Sequence, residues 1–551
     1  MELYNEQDRF MKQHYLKIAL ATVITLLSLA CSSESGDSSN PDPIWEESSA
    51  VLYTNLGNLN AKGDIFSLDV EQIIEDIFDQ QSATTDIALS IITDPDNSGI
   101  ALDKPLYVAI REYDEEYNPT NIVASFELSD ATKLDTLLKG LSESIATESV
   151  SLEGQKRLIT LNATTVVGYN NERLVLIHNT NPSEELSLSE ELSTKLDYSP
   201  ADMSRFSGLD IALYVDIDKA AEHQLNTMLV ASQEEEITPE ELEEIKSMFC
   251  EMYNQYFKEQ AGASLGLSFE SGTILLSSEL EGVSDNITTQ LKQANPNHLK
   301  LLNASPIAIL NLGINGEAMA DIIDNAMDAA ASNEDFASMS NEISIYKNIG
   351  LGIISSIDGN LMFALSEADG KLIDDVIDGS RLVFTKANAL FTADVKDDYI
   401  MENIKTYAGP FLRKSGTQSY SLEAFGNKLS IGQQDNMFYV GVNNSADKKR
   451  NSAADQEWSN NVMGSYAYAM VDFKQLFSTS FGHAALSTIY SNASSSDERD
   501  IIKLITSNID KFYILSNGQG DTIHTECTLT LRKGQKNALK QITELFQPSI
   551  N

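Results

Sequence analysis

The sequence predicts an α+β protein: a tandem duplication of one unit in which helices pack on antiparallel sheet. Three observations predict this. Short runs of alternating apolar residues are joined by turn residues, which is the mark of hairpins. Between them lie segments whose apolar positions recur at helical spacing. The same succession of patterns then returns about 256 positions later (307 against 51).

The long module of the first copy opens with a strand over 51–57, Val-Leu-Tyr-Thr-Asn-Leu-Gly. Val70, Ile73, Ile74, Ile77 and Phe78 then line one helix face. A paired set of strands follows at 105–112 and 121–128. The next helix, 130–145, gathers Leu134, Leu137, Leu138, Leu141 and Ile145 on one side, and three short strands run on to Ile177. This β-α-β-β-α-β order resembles a split βαβ sandwich. The short module has a strand at 209–217, two helices, a hairpin at 262–280 and a last helix. It lacks strands to close its own sheet and is expected to share one with the long module. Thr238-Pro239-Glu240-Glu241 is a helix start, with Thr as cap, Pro in the first turn and Glu closing a capping box.

Three pairs of segments carry the duplication. Val51–Gly57 matches Ile307–Gly313. Gly208 with Tyr214-Val215-Asp216-Ile217 matches Gly464 with Met470-Val471-Asp472-Phe473, again 256 on (464 against 208). Val167-Gly168 leading to Leu174-Val175-Leu176 matches Ile431-Gly432 leading to Phe438-Tyr439-Val440 at 264 (431 against 167), so the second copy carries a small insertion. Met319, Ile322, Ile323, Ala326 and Met327 repeat the spacing of the 70–78 helix, and Ser495 with Glu498 repeats the capping box. Residues 283–304 join the copies.

The first residues read as a targeting segment. Ile18 to Ala30 is apolar apart from Thr22, Thr25 and Ser28, with Lys12 and Lys17 as the positive flank. The run is shorter than the roughly 20 residues that a spanning helix needs. It ends in Leu27-Ser28-Leu29-Ala30-Cys31, a relaxed lipobox with Ser28 at the usual Leu place. Cys31 is therefore the expected lipid attachment site, with a plain secretory signal or a stub anchor as alternatives. Glu2, Glu6 and Asp8 are unusual at a signal start, and Met11-Lys12 makes a more ordinary one. Ser32 to Pro43 has no core-forming residue and reads as a flexible tether spanning roughly 20 Å. Its Ser/acidic tract suits a surface-export signal and a solvated linker equally. The expected layout is signal peptide 1–30, lipidated cysteine and linker 31–48, first copy 49–295 and second copy 296–551.

The chain carries a net charge of −44, and losing residues 1–30 leaves it unchanged because three acids and three bases go together. Such a surface is repelled by nucleic acid and by anionic lipid, so no nucleic-acid partner is expected. After Cys31 only Cys250 and Cys527 remain. A disulfide between them is open, but a predicted helix and a distant strand hold them, and two separate buried thiols fit better. His178, His223, His298, His483 and His524 have no partner at zinc-ligand spacing.

The lipobox and linker, the strand from Ala50 to Leu56, the passage through Lys62-Gly63 into a helix, and the overall length together resemble an uncharacterised Bacteroidota lipoprotein family, domain of unknown function 4836. The resemblance covers nearly the whole chain after the signal. Glu46-Glu47-Ser48-Ser49 stands where that family typically has a proline-containing lead-in. It implies an outer-membrane lipoprotein and supplies no catalytic residues.

The remaining motifs have bland readings. Gly262-Ala263-Ser264-Leu265-Gly266 matches a nucleophile elbow, but Leu265, Leu267 and Phe269 alternate onward, which puts Ser264 inside a strand. Ser344-Ile345-Tyr346-Lys347, Ser284-Asp285-Asn286 and Lys414-Ser415-Gly416 resemble the elements of penicillin-recognising serine enzymes in the wrong chain order. Asp94 to Gly99 begins like a calcium loop, but its twelfth place is Pro105. Trp45 and Trp458 suit either sugar stacking or a domain joint. No residue is nominated as catalytic, cofactor-binding or metal-ligating, and no cofactor is expected. The functional expectation is a lipid-anchored envelope protein that binds or scaffolds without catalysis, with an envelope protein or glycan as partner. The alternative is a glycan-binding or glycan-degrading accessory lipoprotein.

Overall fold

The computed structural model describes the chain from Ser48 to Phe546, apart from residues 66–94, 114–118, 143–147, 152–156, 163, 180–205, 207, 235–238, 303–304, 332–348, 376–378, 417, 425, 445–456, 494–498, 500–501 and 504–505. The signal segment, Cys31, the tether, Trp45, the helix expected at 70–78, and Thr238, Ser344, Lys347, Ser495 and Glu498 all lie outside the described residues. The described residues fall in two compact units, Ser48–Gly282 together with Lys533–Phe546, and Val283–Arg532.

The helices used below are α1 (Leu56–Gly63), α2 (Ala131–Ser142), α3 (Ile217–Glu234), α4 (Pro239–Tyr256), α5 (Gly316–Ala331), α6 (Tyr399–Ala408), α7 (Ser480–Asn492) and α8 (Ala538–Phe546). The first unit has ten strands among its described residues: β1 (Ala50–Thr54), β2 (Leu106–Tyr113), β3 (Pro119–Glu127), β4 (Glu148–Ser151), β5 (Arg157–Asn162), β6 (Thr165–Tyr169), β7 (Arg173–Asn179), β8 (Ile211–Asp216), β9 (Phe257–Glu270) and β10 (Thr273–Val283). They lie side by side as β4-β5-β6-β7-β3-β2-β1-β8-β9-β10. The second unit also has ten: β11 (Ala308–Asn315), β12 (Ile357–Asp375), β13 (Gly379–Val395), β14 (Arg413–Lys414), β15 (Ser419–Ala424), β16 (Asn427–Gln434), β17 (Met437–Val442), β18 (Ala467–Asp472), β19 (Ile509–Gln519) and β20 (Thr522–Leu531). Their order is β14-β15-β16-β17-β13-β12-β11-β18-β19-β20.

This corrects the expected fold class. The architecture is an extended antiparallel sheet in which strand outweighs helix, not an α+β unit of helices laid on a modest sheet. The split βαβ sandwich is absent among the described residues, because that arrangement sets its first two strands parallel with a third strand between them, whereas β1 and β2 are direct antiparallel neighbours. Here β1 lies between β2 and β8 and is antiparallel to both. The apolar alternation that suggested separate modules instead feeds one sheet per unit. Val51, Ala109, Val123, Ile177 and Val166 form a single cross-strand row over five strands. All five belong to one buried cluster, with Tyr53, Tyr107 and Phe206 beside them. Side chains of alternate residues point to opposite faces. The other face accordingly carries Val167, Tyr169 and Leu174, covered by Leu134 and Leu138 of α2.

Two local expectations also change. The strand expected over 51–57 ends at Thr54, because Asn55 turns the chain into α1. Its side chain accepts from Asn58 N at 2.8 Å, satisfying a donor that the first helical turn leaves free. The match of Val51 to Ile307 is also two residues out of register. Leu52 pairs with Leu213, and Leu310 pairs with Ala469. Leu213 and Ala469 are 256 apart, whereas Leu52 and Leu310 are 258 apart. A shift of two keeps every side chain on its face, so hydrophobic patterning does not resist it.

Candidate functional site

Two clusters bring together charged side chains that sequence reading did not connect. The first is in the Ser48–Gly282 unit. Lys62, in the last turn of α1, donates to Asp210 Oδ2 at 2.8 Å and to Glu270 Oε1 at 3.2 Å. Asp210 stands just before β8 with its side chain 1% exposed. Phe269 N also donates to Oδ2 at 2.8 Å. Asp210 Oδ1 is buried without a hydrogen-bond partner. The backbone carbonyl of Asp210 accepts from Asn55 N, so the cap residue and the carboxylate are tied together. Burial of the Lys62 ammonium works against its charge. Its hydrogen bonds to Asp210 and Glu270, and their negative charges, outweigh that and hold its pKa above the usual lysine value. Burial, then the charge of Asp210, pushes the Tyr53 hydroxyl up.

Gly63, next to Lys62, receives α8. A Cβ at position 63 would lie 2.4 Å from Leu539 Cγ. Thr543 Oγ1 donates to the Gly63 carbonyl at 2.6 Å, and Lys540 Nζ reaches Asp64 Oδ2 at 2.9 Å. The Lys62-Gly63 pair thus holds strand β8 on one side and the last described helix on the other.

The second cluster is in the Val283–Arg532 unit. His298, 2% exposed, lies over the inner face of the sheet on a 3-10 helix, Pro296–Leu301. Its Nε2 is 2.8 Å from Asp394 Oδ1 and its Nδ1 is 2.6 Å from Thr392 Oγ1. Asp394 Oδ2 accepts from Asn360 N at 3.0 Å, and Asn360 Oδ1 accepts from Asn295 N at 2.9 Å. With Asp394 ionised, Nε2–H donates to the carboxylate and Nδ1 accepts the threonine hydroxyl proton. Burial raises the Asp394 pKa, but the hydrogen bond and charge of His298 and the Asn360 N–H outweigh this and hold it below its ordinary value. Beside the cluster, both amide atoms of fully buried Asn311 lack a hydrogen-bond partner.

The Thr392–His298–Asp394 set contains the residue types of nucleophilic catalysis. Such a set works only where a substrate carbonyl reaches the hydroxyl. Thr392 is fully buried in the sheet between Met362 and Tyr439. The arrangement is a core hydrogen-bond network that pins the 296–301 turn to β13.

The motif residues are placed as follows. Ser264 lies inside β9, with its Oγ 3.5 Å from Glu279 Oε2, as the strand reading required. Of the calcium-like loop, Asp94 is outside the described residues, and Ser98 is buried with its Oγ accepting from Ile100 N at 3.1 Å. Ser284-Asp285-Asn286 opens a one-turn helix, and Lys414-Ser415-Gly416 runs off the edge strand β14. Trp458 is on the short helix Glu457–Val462. Cys250 and Cys527 are both free thiols: Cys250 is exposed on α4, which corrects its expected burial, and Cys527 is half-buried in β20. Among the described residues no three metal-ligating side chains converge. Asp210, Glu270 and Asp394 were illegible in sequence, since nothing local separates them from the other acids of the chain.

Fold and clusters define a protein of two antiparallel units, each with ten strands among the described residues, one holding buried Asp210 with Lys62 and the other holding half-buried Asp394 with buried His298. The chain belongs to the family described as domain of unknown function (DUF4836), whose profile matches residues 43–539. No curated protein matches it. Partial likenesses among solved structures include three crystal forms of TP0453. Form III is 14% identical, covers 45% of this chain and 81% of that one, and has a TM-score of 0.26. Form I gives 12%, 44%, 79% and 0.26, and form IV gives 14%, 42%, 76% and 0.24. At these TM-scores the likeness carries no inference.

Proposed function

We propose that the chain is a lipid-anchored envelope protein, attached through Cys31 to the outer membrane, that binds or scaffolds an envelope partner without catalysis. The observation that carries this reading is the apolar run Ile18–Ala30 ending at Cys31, followed by a core-free tether. The family match begins at residue 43, the last residue of that tether, so the lipid-bearing Cys31 lies outside the family's own region. A tether of this kind lets a bulky domain stand clear of head groups while the lipid stays inserted.

Metabolic labelling with palmitate tests the anchor. Label on the parent chain that disappears in Cys31→Ala is the expected result, and label that survives the substitution overturns it. Crosslinking on intact cells, followed by pull-down of the tagged chain, tests the partner. One stoichiometric protein is expected. Retention on a glycan matrix with no protein partner would replace scaffolding by glycan binding. Protease added to intact cells separates the two faces of the membrane, with digestion marking surface display.

A further inference from the structure

One end of the Val283–Arg532 unit carries chemistry opposite to the rest of the chain. Tyr407 and Phe411 are 67% and 73% exposed, the most exposed aromatic side chains among the described residues. They flank Gly409-Pro410, where α6 passes through a 3-10 turn, Gly409–Phe411, into the edge strand β14. Lys405, Arg413 and Lys414 surround them, all exposed. Among the described residues none of these three pairs with a carboxylate, whereas Lys292, Lys386, Lys396 and Lys511 each do. Residues 403–422 contain no acid, in a chain with 82 acids in 551 residues. Strands β15 and β16 behind the turn add Lys428 and one acid, Glu423, which sit opposite each other. The acids of α6 itself, Asp398 as its cap and Glu402 in its first turn, are at the far end of the helix, and Asp398 is engaged by Gln433 Nε2 at 2.8 Å. The turn is not a loose tip, because Leu412 packs into the cluster of Ile400, Met401, Ile431 and Phe438.

We propose that residues 405–414 form a membrane-seating patch for an anionic phospholipid surface, with Tyr407 and Phe411 at the level of the head groups and Lys405, Arg413 and Lys414 on phosphates. This rests on the reading that Cys31 carries a lipid. Aromatic side chains favour the membrane–water interface, and basic side chains beside an anionic leaflet add attraction that salt screens. Charge complementarity selects the occupant. The overall −44 repels an anionic bilayer, so only an end of opposite sign can approach one, and the patch then sets which way the unit faces. Aromatic tips standing this far clear of their own surface sink into lipid, whereas a flat protein face would leave much of each ring uncovered.

The test reconstitutes the lipidated full chain carrying Phe411→Trp in vesicles of brominated phosphatidylglycerol or brominated phosphatidylcholine. The parent chain sets the background from Trp45 and Trp458. Added emission that is blue-shifted, and quenched several-fold more in phosphatidylglycerol, is expected. Adding Lys405→Glu, Arg413→Glu and Lys414→Glu together removes that quenching while circular dichroism stays unchanged. A chain that floats with the vesicles but shows no added quenching, or equal quenching in both lipids, overturns the patch and leaves the anchor standing. A chain that does not float overturns the anchor. The same variant mixed with preformed phosphatidylglycerol vesicles then reads the patch alone, and unquenched emission overturns it. Quenching that is absent while residues 405–414 crosslink to an envelope protein or to a second copy overturns the lipid assignment in favour of that partner.

Discussion

Leu539 of α8 packs directly on the Cα of Gly63, at a distance that leaves no room for a β-carbon. Residues 476 positions apart (539 against 63) thereby close the first unit. Gly63→Ala should destabilise that unit by about 1–3 kcal/mol through overpacking, although alanine is the better helix former. Leu539→Ala alone should cost about 2–5 kcal/mol, and the double variant should cost less than the two losses added. Urea unfolding followed by circular dichroism measures all three. Strict additivity would show that the contact does not set the packing of α8.

Lys62→Met would leave Asp210 buried and unpaired. Loss of one partner from a buried pair typically costs about 3–5 kcal/mol, and Glu270, itself a carboxylate, adds repulsion and not compensation. Lys62→Met with Asp210→Asn should recover most of that loss, as read by urea midpoints. The raised pKa of Lys62 also has a direction. A folded value above the unfolded one gives stability that is complete below the ordinary lysine value and lost as pH rises through the folded one. The parent should therefore lose stability on the alkaline side more steeply than the double variant.

Asp394 predicts the opposite limb. Its folded pKa lies below the ordinary 3.8, so its contribution is present above that value and disappears as pH falls through the folded one. Asp394→Asn should be less stable than the parent at neutral pH by roughly 1–3 kcal/mol. The gap should narrow as pH falls from about 4 through the lower folded value, beneath which both side chains are neutral. Parallel acid-unfolding curves would rule out this role. His298→Ala, which strands Thr392 and Asp394 together, should be the more damaging change at neutral pH.

The thiols should react at different rates. Cys250 is exposed, whereas burial, then the neighbouring Glu526, pushes the Cys527 thiol up. Thiolate is the reactive form. Alkylation of the folded chain near neutral pH should modify Cys250 first and Cys527 only on unfolding, as followed by peptide mass spectrometry. Equal rates would contradict the placement of β20.

Local patterns in the sequence were sufficient for some elements and not for others. The helix around Leu134 and Leu138, the strand holding Ser264 and the helix start at Pro239 were legible, because periodicity and capping are properties of neighbouring residues. The early end of β1 was missed because the apolar pattern runs through Leu56, while Asn55 has already capped α1. The sheet was underestimated because period-2 patterning says that a strand exists and not how many others lie beside it. The charged clusters were invisible for a related reason: Lys62 meets Asp210, and His298 meets Asp394, only after the chain has folded back over long loops.

The sequence by itself determined the charge of the chain, the apolar run that ends at Cys31, the core-free segment after it and the succession of strand and helix patterns. These depend on composition or on residues close in the chain. Tertiary structure alone decided that the described strands of each unit lie side by side in antiparallel sheet, that Gly63 is tightly covered because Leu539 arrives there, and that among the described acids Asp210 is buried. Those facts follow from strand register and from contacts between distant residues, and no local spacing encodes them.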